Sequence, residues 1–259
     1  MLNYTVHVNR RQFPSFMSPQ LQLFDARSAA DRWTVRVSRR ARRLSVRVYP
    51  GGRVEVVVPP GASPAAVQKF VGTHRQWIHR RIEDLSTAAA IDDRRPTSIR
   101  LPAIDRHHAV EYQHAAGPAA RVRVGGENVI IVSGPLHDER AVTAALREWL
   151  ADVAREQLGN ELARVAAEGG FRYSRAQIRR QRTRWGSCSA SGTISMNVSL
   201  LFLRPQVVRY LLVHELCHTR HMNHSNRFWS LVESFEPDYR ELDRELLRGW
   251  QSVPGWMFS

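Results

Sequence analysis

One predicted helix restricts the fold of this chain more than any other segment. The run VVRYLLVHELCHTR, which Pro205 opens, is strongly apolar up to Val213 and then carries His214, Glu215 and His218. Two residues spaced four apart on a helix lie on the same face, about one turn from each other. The apolar part predicts burial in a core, yet a buried imidazole or carboxylate without a partner costs free energy. The fold must therefore bury this helix and supply a partner, for which a metal ion is the natural candidate.

The spacing of these three polar residues is the HExxH motif. Two imidazoles one turn apart can bind a single zinc ion, so we expect His214 and His218 to be zinc ligands. Glu215 stands beside the first ligand, where its carboxylate can take a proton from a water on the metal. The motif therefore predicts metal-assisted hydrolysis, with Glu215 as the catalytic base.

A catalytic zinc site needs a third protein ligand and leaves its fourth position to water. His224 lies ten residues after His214, and its neighbours Asn223 and Ser225 are typical of a helix end followed by a new helix start. We therefore favour His224 as the third ligand. The alternatives are Glu233 and Glu236, on the following helix, and His221, which lies two turns from His214 if the helix stays regular.

The composition is that of a globular chain in a reducing compartment. Of its 259 residues 43% are hydrophobic and 24% charged, so a core can form without disulfide staples. Only two cysteines occur, Cys188 and Cys217, and by its spacing the second is expected to be a small buried apolar residue. No apolar run is long enough to span a membrane, and the N-terminus lacks the apolar core of a secretion signal. We therefore expect a cytoplasmic protein that does not bind membranes.

The first half of the chain is predicted to be an arm followed by a β-rich unit. Residues 1–30 are irregular and predict a flexible N-terminal arm. Residues 31–133 predict a β-rich unit, whose first three strands, in WTVRVSRR, LSVRVYP and RVEVVVPP, suggest an antiparallel meander. Ser63-Pro64 is typical of a helix start, and this helix is expected to run to about Leu85.

The second half predicts a unit of helices and short strands over residues 134–250. It contains a long helix over residues 137–168, a hairpin that turns at Ser189–Gly192, and the HExxH helix. A last helix, FWSLVESF, is expected to extend past Pro237 towards Leu247. The predicted fold class is therefore α+β.

Four motifs in a fixed order resemble one family. They are WGSC at residues 185–188, GTISMN at 192–197, HELCH at 214–218 and HSNRF at 224–228. Together with the basic strands and the helix that follow residue 33, they resemble the YgjP-like metallopeptidase family over roughly residues 33–248. A weaker similarity, based on the helix pair and the spacing of His224 and Phe228, is to SprT-like and WLM-type proteases, which act on DNA-bound proteins.

This resemblance implies a fold, an activity and a site. It implies a zincin-like domain over residues 134–250 that hydrolyses peptide bonds in a protein or peptide substrate. The family's zinc ligands match His214, His218 and His224, and its general base matches Glu215.

The charge of +14 suggests an additional partner. Eight arginines against one acid lie in residues 27–47, and six arginines with no acid lie in residues 172–184, so either run could contact nucleic acid. In the arm, Gln20 to Phe24 (QLQLF) resembles the peptide by which bacterial proteins dock on the replication sliding clamp. The alternatives to a general peptidase are thus a DNA-associated protease, and a non-catalytic zinc-containing module that binds nucleic acid.

Four further side chains have two possible roles each. Trp185 is expected to be a core or rim anchor rather than a substrate platform. Asn197 and Ser187 could contact substrate or only stabilise a turn. Tyr239, with Arg240 beside it, could stabilise an oxyanion or pack on the helix pair.

Overall fold

The computed structural model describes residues 33–49, 52–89 and 95–258. The predicted arm over residues 1–30, including the clamp-like peptide Gln20 to Phe24, lies outside these residues. The chain divides into two compact units, one within residues 3–90 and the other within residues 91–259. The α+β class is confirmed, because the described residues form six α-helices and three small sheets.

The smaller unit contains a three-stranded sheet and two helices. Its strands β2 and β3 form the expected antiparallel hairpin, in which Val46 lies opposite Val56. Strand β1, however, pairs with β3 in parallel, so the prediction of an antiparallel meander is wrong for β1. The strand order is β1-β3-β2, with β1 at Trp33–Val37, β2 at Ser45–Val48 and β3 at Val54–Val58.

The helix predicted from Ser63 begins there but divides in two. The Ser63 hydroxyl accepts a hydrogen bond from the Ala66 N–H at 3.2 Å, which caps α1 (Pro64–Thr73). At His74 the backbone leaves helical geometry, and α2 (Arg75–Ala89) begins one residue later. An interruption of one residue does not disturb the apolar period enough to be visible in the sequence.

The larger unit begins with a four-stranded sheet. Its strand order is β4-β5-β7-β6, with β5 and β7 parallel and the other pairs antiparallel. These strands follow the predicted β-rich pattern, but β6 and β7 contact α3, and all four strands belong to the unit of the HExxH helix. The strands are β4 (Ser98–Leu101), β5 (Arg106–His114), β6 (Arg121–Gly126) and β7 (Val129–Gly134).

The long helix α3 (Glu139–Gly169) was expected and forms one side of the core. The Asp138 carboxylate caps its start by accepting from the N–H groups of Arg140 and Ala141 at 2.9 and 3.1 Å. Gly170 ends it in the left-handed conformation, at φ 60°. Its buried residues recur every three or four positions, from Val142 to Val165, so a single face packs inward.

A second three-stranded sheet lies next to the HExxH helix. Its order is β8-β10-β9, with β8 at Arg175–Arg179, β9 at Gly186–Cys188 and β10 at Thr193–Asn197. The predicted hairpin is present: β9 and β10 are antiparallel, and the Gly192 N–H donates to the Ser189 carbonyl at 2.9 Å. Strand β8 adds to β10 in parallel.

Three helices complete the larger unit: α4 (Pro205–Cys217), α5 (Asn226–Phe235) and α6 (Tyr239–Arg248). The predicted last helix is therefore two helices, because the segment around Pro237 interrupts it. Helix α4 contacts α3, α5, α6 and β9, so it lies at the centre of the core. In the part of the chain that the structure describes, no helix combines the length and the apolar character needed to cross a membrane.

Candidate metal centre

Helix α4 buries the HExxH motif as its sequence predicts. Its apolar residues from Val207 to Leu216 are buried, and the motif residues lie with them, at 0% exposure for His214, 2% for Glu215 and 3% for His218. The imidazole rings of His214 and His218 have centroids 5.0 Å apart, because one helical turn separates them. The two polar side chains thus reach one point inside an apolar core.

The chain leaves α4 at His218 and turns back towards the same point. The His221 N–H donates to the Cys217 carbonyl at 2.9 Å. The Arg220 guanidinium donates to the carbonyls of Gly169 and Gly170, both at 2.9 Å, and so fixes the turn to the end of α3. His224 then lies opposite α4. Its Nε2 is 3.2 Å from Nε2 of His214.

Aromatic rings of α5 hold the three imidazoles in place. Phe228, which is fully buried, lies 4.9, 4.5 and 4.8 Å from the ring centroids of His214, His218 and His224 respectively. Trp229 stacks on His224 at 5.5 Å and on Tyr239 at 5.2 Å. The histidine rings are therefore oriented by packing on one helix that follows the turn.

The structure brings His214, His218 and His224 together and leaves the other candidate ligands outside the cluster. Among the described residues, each of these three histidines offers one nitrogen, and the three nitrogens lie within 4.8 Å of one another. His221 acts through its backbone instead, because its carbonyl is 3.0 Å from Nδ1 of His218. The carboxylate of Glu233 contacts Arg240 at 3.3 Å, and that of Glu236 contacts Arg209 at 2.8 Å.

Burial keeps the three histidines in the protonation state that metal binding requires. Desolvation lowers the pKa of His218 and of His224 to about 4, and it lowers the pKa of His214 well below its ordinary value. All three imidazoles are therefore neutral at pH 7. Neutral imidazole is the form that binds metal ions.

Glu215 lies in a pocket formed by strand β9. A Cβ atom at Gly186 would lie only 2.8 Å from Glu215 Oε1, so the absence of a side chain at Gly186 makes room for this carboxylate. The Cys188 backbone N–H donates a hydrogen bond to the carboxylate, yet burial dominates and raises the pKa of Glu215 to about 7. Glu215 Oε2 is buried and has no hydrogen-bond partner among the described residues.

The donor set fits a tetrahedral metal ion of the zinc type. Two nitrogens bound to one tetrahedral zinc ion lie about 3.3 Å apart, which is close to the 3.2 Å between the Nε2 atoms of His214 and His224. The His221 carbonyl fixes His218 Nδ1, which leaves His218 Nε2 to bind a metal, a common arrangement around metal-binding histidines. The buried carboxylate beside the cluster also favours a cationic partner.

Three other residues singled out in the sequence, Asn197, Trp185 and Cys217, support the fold. Asn197 is buried and donates to the carbonyls of Gln181 and Arg184 at 2.6 and 2.7 Å, so it stabilises a turn. Trp185 is buried and stacks on Trp250 at 4.0 Å, as expected of a core anchor. Cys217 is fully buried, and burial raises the pKa of its thiol to about 12, so it acts as a small apolar residue.

Two supporting residues were missed by the sequence reasoning. The sequence identifies Gly186 only as a member of the WGSC motif, because a single sequence does not show which side chain will pack against it. Phe228 was used only for its spacing from His224, although an aromatic residue in the first turn of α5 suggests packing against the ligands.

Residues 42–248 match a family model described as the YgjP-like, metallopeptidase domain. One similar solved structure is the crystal structure of the metallopeptidase zymogen of Pyrococcus abyssi abylysin, at 25% sequence identity. The alignment covers 35% of this chain and 91% of that chain, with a TM-score of 0.32. No curated protein matches the chain.

Proposed function

The chain belongs to the YgjP-like metallopeptidase family, and on this basis we propose that it is a zinc-dependent peptidase with Glu215 as its general base. Family membership makes the chain a metal-dependent peptide hydrolase. The finer assignment names zinc as the metal, held by His214, His218 and His224. The observation that carries it is the convergence of three neutral imidazoles beside one buried, partly unsatisfied carboxylate.

Zinc bound by three histidines supplies a Lewis acid that polarises a substrate carbonyl and makes a coordinated water acidic. The chain's own contribution is proton transfer by Glu215. Its Oε2 is the atom able to accept a proton, because no described residue donates to it. A carboxylate with a pKa of about 7 can accept the proton of the attacking water at neutral pH and then donate it to the leaving amine.

Strand β9 offers a place for the peptide to lie. In the order β8-β10-β9 it is an edge strand, and it contacts α4 next to the HExxH motif. Its residues Gly186 and Ser187 are half-buried, so an extended peptide can add to this edge through backbone hydrogen bonds. Such a strand would place its carbonyl groups beside Glu215.

The substitution Glu215→Gln tests the proposed role of this residue. Glutamine is nearly isosteric but cannot accept the proton, so we expect zinc content to stay at about one per chain and peptide hydrolysis to fall about 100-fold or more. Elemental analysis and cleavage of a peptide library measure the two effects. In the matched variant His224→Ala we expect most of the zinc to be lost. Full hydrolysis by Glu215→Gln would refute the assignment.

A further inference from the structure

A solvent-open cavity of about 230 Å³ lies at the end of strand β10, apart from the histidine cluster. The loop after β8 forms one wall with Arg180, Gln181 and Arg182. Ser199 closes another side, and the C-terminal segment contributes Phe258. Arg147 of α3 completes the lining, which contains no acidic residue.

Three arginines, Arg147, Arg180 and Arg182, line this cavity together. The Arg147 guanidinium donates to the Trp256 carbonyl at 2.7 and 3.0 Å, which holds it at the cavity wall. Burial lowers the pKa of Arg147, and the positive charges of Arg180 and Arg182 lower it further. Three guanidinium groups of like charge therefore share one small space.

Several arginines elsewhere in the same unit pair with acidic residues. Arg209 contacts Glu168 and Glu236, both at 2.8 Å, and the long helix pairs Arg155 with Asp152 and Arg164 with Glu161. Arg180 and Arg182, in contrast, form no ion pair with any residue that the structure describes. Arg180 and Arg182 therefore bring positive charge to this cavity that no described carboxylate offsets, unlike Arg155, Arg164 and Arg209.

The positive surface continues along strand β8. Arg175 and Arg179 are exposed and lie two positions on either side of Gln177, so all three side chains share one face. Arg179 donates to the amide oxygen of Gln177 at 2.8 Å, a neutral group that leaves the charge in place. A row of this length fits a polyanion better than a single small anion.

We propose that this cavity binds a backbone phosphate of single-stranded nucleic acid, with the strand continuing over Arg175 and Arg179. The guanidinium fork matches two phosphate oxygens, and the hydroxyl of Ser199 and the amide of Gln181 add neutral donors. The ring of Phe258, half-buried beside the arginines, offers a face on which a base can stack. An aromatic ring among arginines favours nucleic acid over an acidic polypeptide.

The cavity is also tied to the catalytic side of the unit. Asn197 holds the carbonyls of both Gln181 and Arg184, and the chain then passes through Trp185 to Gly186, which packs on Glu215. The wall of the cavity and the pocket of Glu215 are therefore formed by one continuous segment, residues 180–186. Binding itself does not depend on the proposed peptidase activity, so either proposal can fail without the other.

Fluorescence anisotropy with a labelled oligo(dT) of about 20 nucleotides tests this proposal on the full chain. Affinity is measured between about 50 and 200 mM salt. We expect the double variant Arg180→Gln with Arg182→Gln to bind about tenfold more weakly at the lowest salt. The slope of log K against log salt should decrease in magnitude by about 1.4. The control Arg155→Gln with Arg164→Gln removes the same formal charge and should change affinity less than about twofold. A second control, Arg42→Gln with Arg43→Gln, removes exposed arginines of the smaller unit.

A second variant tests the proposal independently, in case the arginine variant does not fold. Phe258→Leu should weaken binding about fivefold or more and leave the salt slope unchanged, because it removes stacking and no charge. Equal losses in all three arginine pairs, or no binding by the wild type, would overturn the proposal. So would poly-glutamate competing as well as oligo(dT) at matched charge, or inorganic phosphate binding as tightly as the oligonucleotide.

Discussion

Gly186 illustrates how one residue controls the catalytic carboxylate. An alanine Cβ there would lie 2.8, 3.0 and 3.1 Å from Oε1, Cγ and Cδ of Glu215, so the side chain has to move. We expect Gly186→Ala to lower kcat about tenfold or more and to cost about 1–3 kcal/mol of stability, with zinc retained. Kinetics, elemental analysis and thermal unfolding measure these effects.

Gly159→Ala is the matched control for this substitution. Gly159 lies inside α3, with nothing within 4 Å of an added Cβ, so this change should raise helix stability by about 0.5–1 kcal/mol and leave kcat unchanged. Full activity in Gly186→Ala would show that Glu215 does not depend on this contact.

A second prediction at the residue scale concerns how zinc affinity at the three histidines depends on pH. Zinc competes with protons only below the pKa of its ligands, and burial lowers that of His218 and His224 to about 4 and that of His214 well below its ordinary value. We therefore expect zinc affinity to stay nearly constant from about pH 7.5 to 5.5, whereas three histidines of ordinary pKa would lose about 1000-fold. Chelator competition in the Glu215→Gln variant measures this without the Glu215 charge. A loss of that size would show that the histidines titrate normally.

At the scale of elements, Asn197 joins β10 to the loop before β9. Its amide donates to Gln181 and Arg184, and its Oδ1 accepts from the Ser199 N–H at 3.0 Å, which caps the 3-10 helix Val198–Phe202. Asn197→Ala removes these bonds from a buried site, so we expect a loss of about 2–4 kcal/mol in urea unfolding. Asn160→Ala, at an exposed position of α3, should cost nothing. Unchanged stability with a raised KM would instead make Asn197 a substrate contact.

Which elements the sequence predicts depends on how local their signals are. The cap at Ser63, the long helix before Gly170 and the turn at Gly192 follow from neighbouring residues, and the structure agrees with each. The parallel pairing of β1 with β3 does not follow from neighbouring residues, because packing selects strand partners that are far apart in the chain. The break at His74 is local but gives no signal, because a one-residue interruption leaves the apolar pattern intact.

At the scale of the whole molecule, the predicted border at residue 133 and the observed division near residue 90 differ. Strands β4 to β7 share the alternating pattern of β1 to β3, so composition groups all seven together. Their partner is α3, which buries apolar residues against β6 and β7. The sheet therefore lies in the same compact unit as the helices that carry the site.

This division predicts a local response to metal removal. The clustered histidines and the helices that carry them lie in the larger unit. Zinc present at about 1000 times its Kd stabilises the unit that binds it by about 4 kcal/mol. Chelation should thus lower the unfolding temperature of the larger unit and speed hydrogen exchange in α4 and α5. Strands β2 and β3 of the smaller unit, which contains no member of the cluster, serve as the internal control, and their amides should exchange at the same rate with and without zinc. Equal acceleration in both units would mean that the two unfold together and that the metal stabilises the whole chain.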